Sequence, residues 1–300
     1  MSVATSTEPS RRRRKIKSPR FALALPAGFF FLFFFAIPIL FIVAYSFGRK
    51  PDIFHSISMS QLSFDRYSES FTSTFFSTFI QTVRLSLVGS ALTLLIGFPF
   101  AYWLAVKAPQ KYRGLLLGLV LVPFWTNLLV RTIGWRILMA PDGLIHPLVQ
   151  VNTKGAVYLG VVYNYLPLAI LPMFVALDRI NPALREAAKD LGANKFKTLT
   201  QVTMPLAMPG IAASMLLVFI PLMGDYITPS VLGGSSVFVM GNLVVSQFLA
   251  ANNWAQGSAT AMILILTILI TVAVFGLIGL GLRALVRQRR RVVIDTGGMS

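Results

Sequence analysis

Residues 178–205 read DRINPALREAAKDLGANKFKTLTQVTMP, a charged stretch between an apolar run that ends at Leu177 and another that begins at Thr198. Connections inside a compact helix bundle are usually short, roughly 2–8 residues. This one carries helix signals of its own. Asn181 suits an N-cap, Pro182 suits the first helical position with its fixed φ and missing N–H, and Gly192 suits the left-handed residue after a helix end. Between them Leu184, Ala187, Ala188 and Leu191 recur at i, i+3, i+4 and i+7, while Arg185, Lys189 and Asp190 fall elsewhere on the helix. The spacing predicts a short amphipathic helix over 182–191. Its apolar face suits either lipid headgroups or a protein surface. Small residues without an aromatic anchor, and the nearby acids Asp178, Glu186 and Asp190, favour protein.

On either side of this stretch the chain is built for a bilayer. Of its 300 residues 55% are hydrophobic and only 12% charged, against roughly a quarter charged in ordinary soluble domains. The uncharged runs are 21–48, 85–106, 114–130, 155–177, 198–224 and 226–282. A span needs about 20 apolar residues to cross about 30 Å of hydrocarbon. The last run is too long for one helix, and its first part, 226–257, is broken by Pro229, Gly233, Gly234, Gly241, Asn242, Asn252 and Asn253. The expected fold is therefore all-α and integral to the membrane, with six transmembrane helices at about 21–47, 80–106, 114–138, 156–177, 205–225 and 258–282. One transmembrane domain at 21–284 lies between tails at 1–20 and 285–300, with the charged loop at 178–204. The segment 237–251 reads as a short amphipathic or re-entrant piece on the outer side.

Basic residues set the direction, because Lys and Arg in short loops stay in the cytoplasm. They crowd the first tail (Arg11 to Arg14, Lys15, Lys17, Arg20), the loop after span 2 (Lys107, Lys111, Arg113), the loop after span 4, and the last tail (Arg283, Arg287, Arg289, Arg290, Arg291). With six spans these four segments share one side, and both termini are expected in the cytoplasm of a bacterial-type inner membrane. The net charge of +17 is then topological and lipid-directed, with no nucleic-acid partner implied. The N-terminus starts like a signal peptide, but its apolar stretch exceeds the roughly 7–15 residues of an h-region, so it reads as a retained first span.

Several chemistries are excluded. There is no cysteine, and the two histidines, His55 and His146, are far apart. Thiol catalysis, thiolate metal sites and a His-based triad lose their residues. No metal site and no catalytic residue is expected. The chain has no G-x-x-x-x-G-K-[ST], so any nucleotide energy must be bound by another chain. Gly276, Gly279 and Gly281 have no nucleotide-binding context, and the Gly114/Gly118 step is a weak helix-contact signal.

Glu186-Ala187-Ala188, three residues, Gly192, nine residues, then Val202-Thr203-Met204-Pro205 resembles the EAA signature of ABC-importer permeases, E-A-A-x3-G-x9-I-x-L-P. Val202 and Met204 depart from the pattern conservatively, and the spacing is kept. The resemblance implies that the 182–191 helix is a coupling helix between spans 4 and 5, with Glu186, Ala187, Ala188, Asp190, Gly192 and Pro205 its ATPase-coupling residues. It further implies a cytoplasmic ATPase subunit in two copies carrying ATP and Mg, a second permease chain, and a soluble substrate-binding protein. This chain itself holds no cofactor. The segments PFWTNLLVRTIGWRILM (123–139), GVVYNYLPLAILPMFVAL (160–177) and MPLAMPGIAASMLLVFIPLMGDYITPSVLGG (204–234) are similar to the spermidine/putrescine permease branch. Permeases for ferric iron, sulfate, phosphonates or amino-acid derivatives share the loop and the fold.

A translocator needs polar groups along its apolar barrier. Asp225 is the one acid between Asp190 and Asp295, and it ends span 5 where Pro221 and Gly224 can interrupt the helix. Its charge suits a cationic amine, and Tyr226 offers a cation–π face. It also suits pairing with Arg131, Arg136 or Arg84, or capping a helix near the outer surface. Trp125, Trp135, Tyr163 and Tyr165 are further path candidates, with interfacial or packing roles as the alternative. A self-sufficient secondary transporter would place broken-helix ion sites in two matching halves, and no such pair is visible.

Overall fold

The structure is a computed structural model that describes residues 20–295 except 53, 54 and 61, with the backbone alone at 20–24, 278 and 280–295. The side chains of the terminal basic clusters, with residues 1–19 and 296–300, fall outside the described part. Helix α1 runs through Arg20–Phe31, a π-turn at Leu32–Ala36 and Ile37–Tyr45. Then follow α2 (Asp65–Ser70), α3 (Ser73–Val106), α4 (Gln110–Leu121), α5 (Leu128–Met139), α6 (Lys154–Asp178), α7 (Pro182–Asp190), α8 (Lys195–Gly224), α9 (Met240–Val245) and α10 (Trp254–Asp295). Among the described residues there is no strand beyond an isolated Arg49–Ser58 bridge.

Five helices are long and apolar enough to cross a bilayer: Leu25–Tyr45, Ser73–Val106, Lys154–Asp178, Lys195–Gly224 and Trp254–Leu277. The third expected span is not one helix. The run 114–138 divides into Gln110–Trp125 and Leu128–Met139, set at 88°. The cause is local: Pro123 opens a 3-10 turn over Val122–Trp125, Thr126 is extended, and the Asn127 side chain caps a new helix by accepting from Leu129 N at 2.8 Å. A second bent pair, Pro229–Ser236 and Met240–Ala250, meets at 97° where a re-entrant piece is expected. Counting each bent pair as one span gives up to seven crossings. Helix α3 begins at Ser73, not near 80, because Thr72 caps it by accepting from Phe75 N. Its 34 residues reach about 51 Å, well past the hydrocarbon.

The core is a three-helix packing of α6 against α3 and α8. Leu104, Met139, Ile170, Met173, Leu177, Val218 and Leu222 are fully enclosed there. Two small residues let α8 approach α6. A Cβ on Gly210 would collide with Ala176 Cβ and lie 2.8 Å from the Pro172 carbonyl oxygen. One turn on, Ser214 Oγ donates to the Ala169 carbonyl at 2.8 Å. Helix α1 stays outside this core, with Phe29 to Phe35 all exposed, as residues facing lipid are. Its far end meets α10, where Tyr45 and Trp254 rings lie 6.3 Å apart.

Two sets of contacts mark the ends of the bundle. At one end Arg113 Nη1 pairs with Asp178 at 2.6 Å, joining the two basic loops expected on one side. At the other, Lys50 Nζ donates to Ala251 O at 2.6 Å, and Gln256 Nε2 donates to Ser70 Oγ at 2.7 Å.

Candidate functional site

Two places on this scaffold carry chemistry. The first is α7. Asn181 Oδ1 accepts from Ala183 N at 3.0 Å, Pro182 occupies the first turn, and Gly192 takes φ +82° beyond the C-terminus. The C-terminal carbonyls are closed by Gly192 N to Lys189 O (2.8 Å) and Ala193 N to Ala188 O (3.0 Å), a left-handed cap that glycine adopts without a Cβ penalty. Glu186, Ala187, Asp190 and Pro205 are exposed and Ala188 is half-buried. Leu191 is 89% exposed and Leu184 48%, so the apolar stripe faces away from this chain's own core. α7 rests on the π-turn Thr198–Thr203 that leads into α8. Movement of α7 therefore has a direct route into the helix that ends at Asp225.

The second place lies where α8 stops. Asp225 is 6% exposed. It caps the helical turn that leads into Pro229–Gly233: Thr228 N donates to Oδ1 at 3.1 Å and Thr228 Oγ1 to Oδ2 at 2.6 Å. Tyr165 of α6 donates its hydroxyl to the same Oδ2 at 3.2 Å. Thr228 Oγ1 also accepts from Asn164 Nδ2 at 3.4 Å, and Asn164 reaches Thr132 Oγ1 of α5 at 3.3 Å. Asn164, Thr132 and Thr228 are all buried. A polar thread thus runs from the start of α5 through mid-α6 to the end of α8, inside an apolar bundle.

Every partner that the structure gives Asp225 is neutral. Among the described residues no cationic side chain reaches it within 4.0 Å, and none of the three expected arginines pairs with it. Arg136 Nη1 donates instead to the Val231 carbonyl at 2.8 Å. Arg131, next to Thr132, lies over the Phe124 ring at 5.9 Å. Its Nε and Nη1 are buried without a hydrogen-bond acceptor, as is Asn164 Oδ1. Arg84 lines a separate open cavity of about 280 Å³ between α3 and α6, with Lys154, Gln81, Ser77, Tyr158 and Val237.

Of the expected path residues, Tyr165 joins the Asp225 cluster directly, and Tyr226 adjoins it in sequence, 40% exposed. Trp135 and Tyr163 form an edge-on pair at 5.1 Å, away from the hydrogen bonds of the cluster. Trp125 sits in the break between α4 and α5, 88% exposed, and joins no polar group of the cluster. Asn164, Thr132 and Thr228 were not anticipated. A lone amide in the apolar run 155–177 is the one signal that pointed to them.

Comparison with known proteins accounts for both places. Residues 97–292 match the family model described as the binding-protein-dependent transport system inner membrane component. The chain is 37% identical over 256 residues to the spermidine/putrescine transport system permease protein PotB of Haemophilus influenzae, covering 81% of this chain and 87% of that one. The fold matches a bacterial ABC transporter involved in the import of the acidic polysaccharide alginate, with TM-score 0.62 and 19% identity over 86% of this chain and 93% of the other. It also matches a bacterial alginate ABC transporter in complex with an alginate pentasaccharide-bound periplasmic protein, with TM-score 0.60, 18% identity and coverage of 85% and 91%. The chain belongs to the binding-protein-dependent transport system inner-membrane component family, the permease subunits of ABC importers, on the branch that contains the spermidine/putrescine permeases.

Proposed function

We propose that this chain carries polyamines or related cationic amines inward, using ATP hydrolysed on a partner subunit. The observation that carries the substrate is Asp225, a buried acid whose chain partners are all neutral. A carboxylate offers about four lone-pair directions, and three donors occupy them here, which leaves room for an ammonium group. A likeness to spermidine/putrescine permeases supports the same substrate. Tyr165 and Thr228 hold the carboxylate in place, and Tyr226 lies alongside as an aromatic surface for the amine.

In this reading α7 seats its exposed Leu184/Leu191 stripe in a groove of an ATPase subunit, and Glu186, Ala187, Ala188, Asp190, Gly192 and Pro205 form the contact. Mg-ATP binds on that subunit, in two copies, with a second permease chain completing the pore. A soluble protein delivers substrate at the end of the bundle that holds Lys50 and Lys154, and both termini lie in the cytoplasm. The permease domain is 21–284 between tails 1–20 and 285–300. Alternation between outward and inward forms follows only if amine, nucleotide or binding protein contacts the two forms differently.

A second reading is favoured by the cavity around Arg84 and Lys154, which contains no acid: an importer for an anionic solute such as a phosphonate or sulfate. One experiment separates the two. The full complex in proteoliposomes is screened for uptake of labelled spermidine, putrescine, phosphonate and sulfate, with Asp225→Asn beside the native chain. Amine uptake lost in Asp225→Asn, with assembly retained, supports the amine reading. Anion uptake indifferent to Asp225 overturns it.

A further inference from the structure

The amine reading of Asp225 leaves one buried group without a task. Arg131 stands in the first turn of α5, just past the 88° break. Its guanidinium is always charged, yet its buried Nε and Nη1 meet no acceptor on the chain. The Phe124 face at 5.9 Å is the ring contact it makes. Leaving such donors unsatisfied is costly, more so for a charged group. Close by stands the mirror situation, a buried carboxylate without a cation. Both groups act on the same phenol: Tyr165 Oη donates to Asp225 Oδ2, and Arg131 lies within electrostatic reach of Tyr165. The Thr132–Asn164–Thr228 thread joins the two ends through neutral side chains.

We propose that Arg131 is a built-in competitor for the amine site: its guanidinium pairs with Asp225 in the substrate-free carrier and is displaced when an ammonium group binds. The inference rests on the reading of Asp225 as the amine site. Three physical points support it. A carboxylate left alone after substrate release would hold the carrier in a high-energy state, and a tethered cation relieves that state without leaving the protein. Arg suits the task because its charge cannot be lost by deprotonation. The break at Thr126 and Asn127 frees the first turn of α5 from the straight continuation of α4, so Arg131 can shift with that turn. The Asn164 carbonyl oxygen, buried without a donor, offers the guanidinium a second contact on the way.

Competition and plain repulsion both weaken amine binding, but they differ in turnover. A competitor also speeds the return of the substrate-free carrier, whereas a merely repulsive charge only hinders binding. The test uses the complex of this chain with its ATPase subunits and second permease in lipid nanodiscs, with labelled spermidine as probe and no binding protein. If the guanidinium holds Asp225 in about nine of ten substrate-free molecules, Arg131→Gln tightens spermidine binding about tenfold. In proteoliposomes with saturating binding protein the same variant transports more slowly. Arg131→Lys, which keeps a cation of similar reach, stays near the native chain in both measurements. In an Asp225→Asn background, Arg131→Gln no longer changes binding. Unchanged or weaker spermidine binding in Arg131→Gln, while Asp225→Asn by itself weakens it, overturns the competitor role and leaves the amine site standing. Tighter binding with unchanged or faster turnover also overturns it, in favour of repulsion. Unchanged binding in Asp225→Asn overturns the amine site, and the competitor with it.

Discussion

Gly192 offers the sharpest test of the α7 cap. Its φ of +82° lies in the left-handed region, and nothing approaches a Cβ built there within 4 Å. Substitution by Ala therefore meets no clash in this chain, only backbone strain. That strain is about 1–2 kcal/mol for an ordinary residue. Asn tolerates the left-handed region far better than Ala, so Gly192→Asn is expected to cost clearly less. The strain falls on the capping bonds Gly192 N to Lys189 O and Ala193 N to Ala188 O. If opening of that cap limits exchange, 1–2 kcal/mol raises the local amide exchange rate about 5- to 30-fold. Hydrogen exchange read by mass spectrometry on a peptide covering 182–193, in the detergent-solubilised complex, measures this directly. The expected order of exchange is Ala fastest, Asn between, Gly slowest, with amides of α6 unchanged. Ala and Asn variants exchanging equally fast would refute the backbone argument and move the cost of a side chain to the surface that α7 meets. Ala exchanging like Gly would refute the strain itself.

Other consequences concern the bundle. Gly210→Val drives a side chain into Ala176 and the Pro172 carbonyl and should cost about 1–3 kcal/mol of overpacking, seen as a lower melting temperature and reduced yield of assembled complex. Arg113→Ala removes an ion pair whose members are 25% and 43% exposed. Its stability cost should stay below about 1 kcal/mol and shrink further in high salt. Asn164→Leu cuts the bonds to Thr132 and Thr228. In spermidine-uptake assays it should reduce transport while the complex still assembles, because a leucine of similar volume fills the site but no longer orients Thr228 against Asp225.

The parts legible in the sequence were those governed by neighbours in the chain. The cap, the proline and the glycine of α7 lie within twelve residues of one another, and local backbone chemistry is enough to place that helix. Hydropathy located the apolar helices for the same reason. It missed the break in 114–138 because averaging over a window hides two residues, Pro123 and Asn127, whose effect is on hydrogen bonding and not on polarity. The Asp225 cluster was half legible. Asp225 stood out as a charge in an apolar run, and its helix-capping role was among the alternatives. Its partners Tyr165, Asn164 and Thr132 come from elements 60 or more residues away in the chain, brought together by packing of α5, α6 and α8. No periodicity in one segment encodes that meeting. Trp125 illustrates the converse: mid-run position suggested a path, and the break leaves it exposed.

The most direct measurement is spermidine uptake into proteoliposomes containing this chain, the second permease, the ATPase subunits and the binding protein, with ATP or a non-hydrolysable analogue on the ATPase side. Uptake that needs hydrolysable ATP and every subunit, and that fails in Glu186→Ala while the complex still assembles, is the expected result. Uptake by this chain alone, driven by an ion gradient and indifferent to ATP, would contradict it.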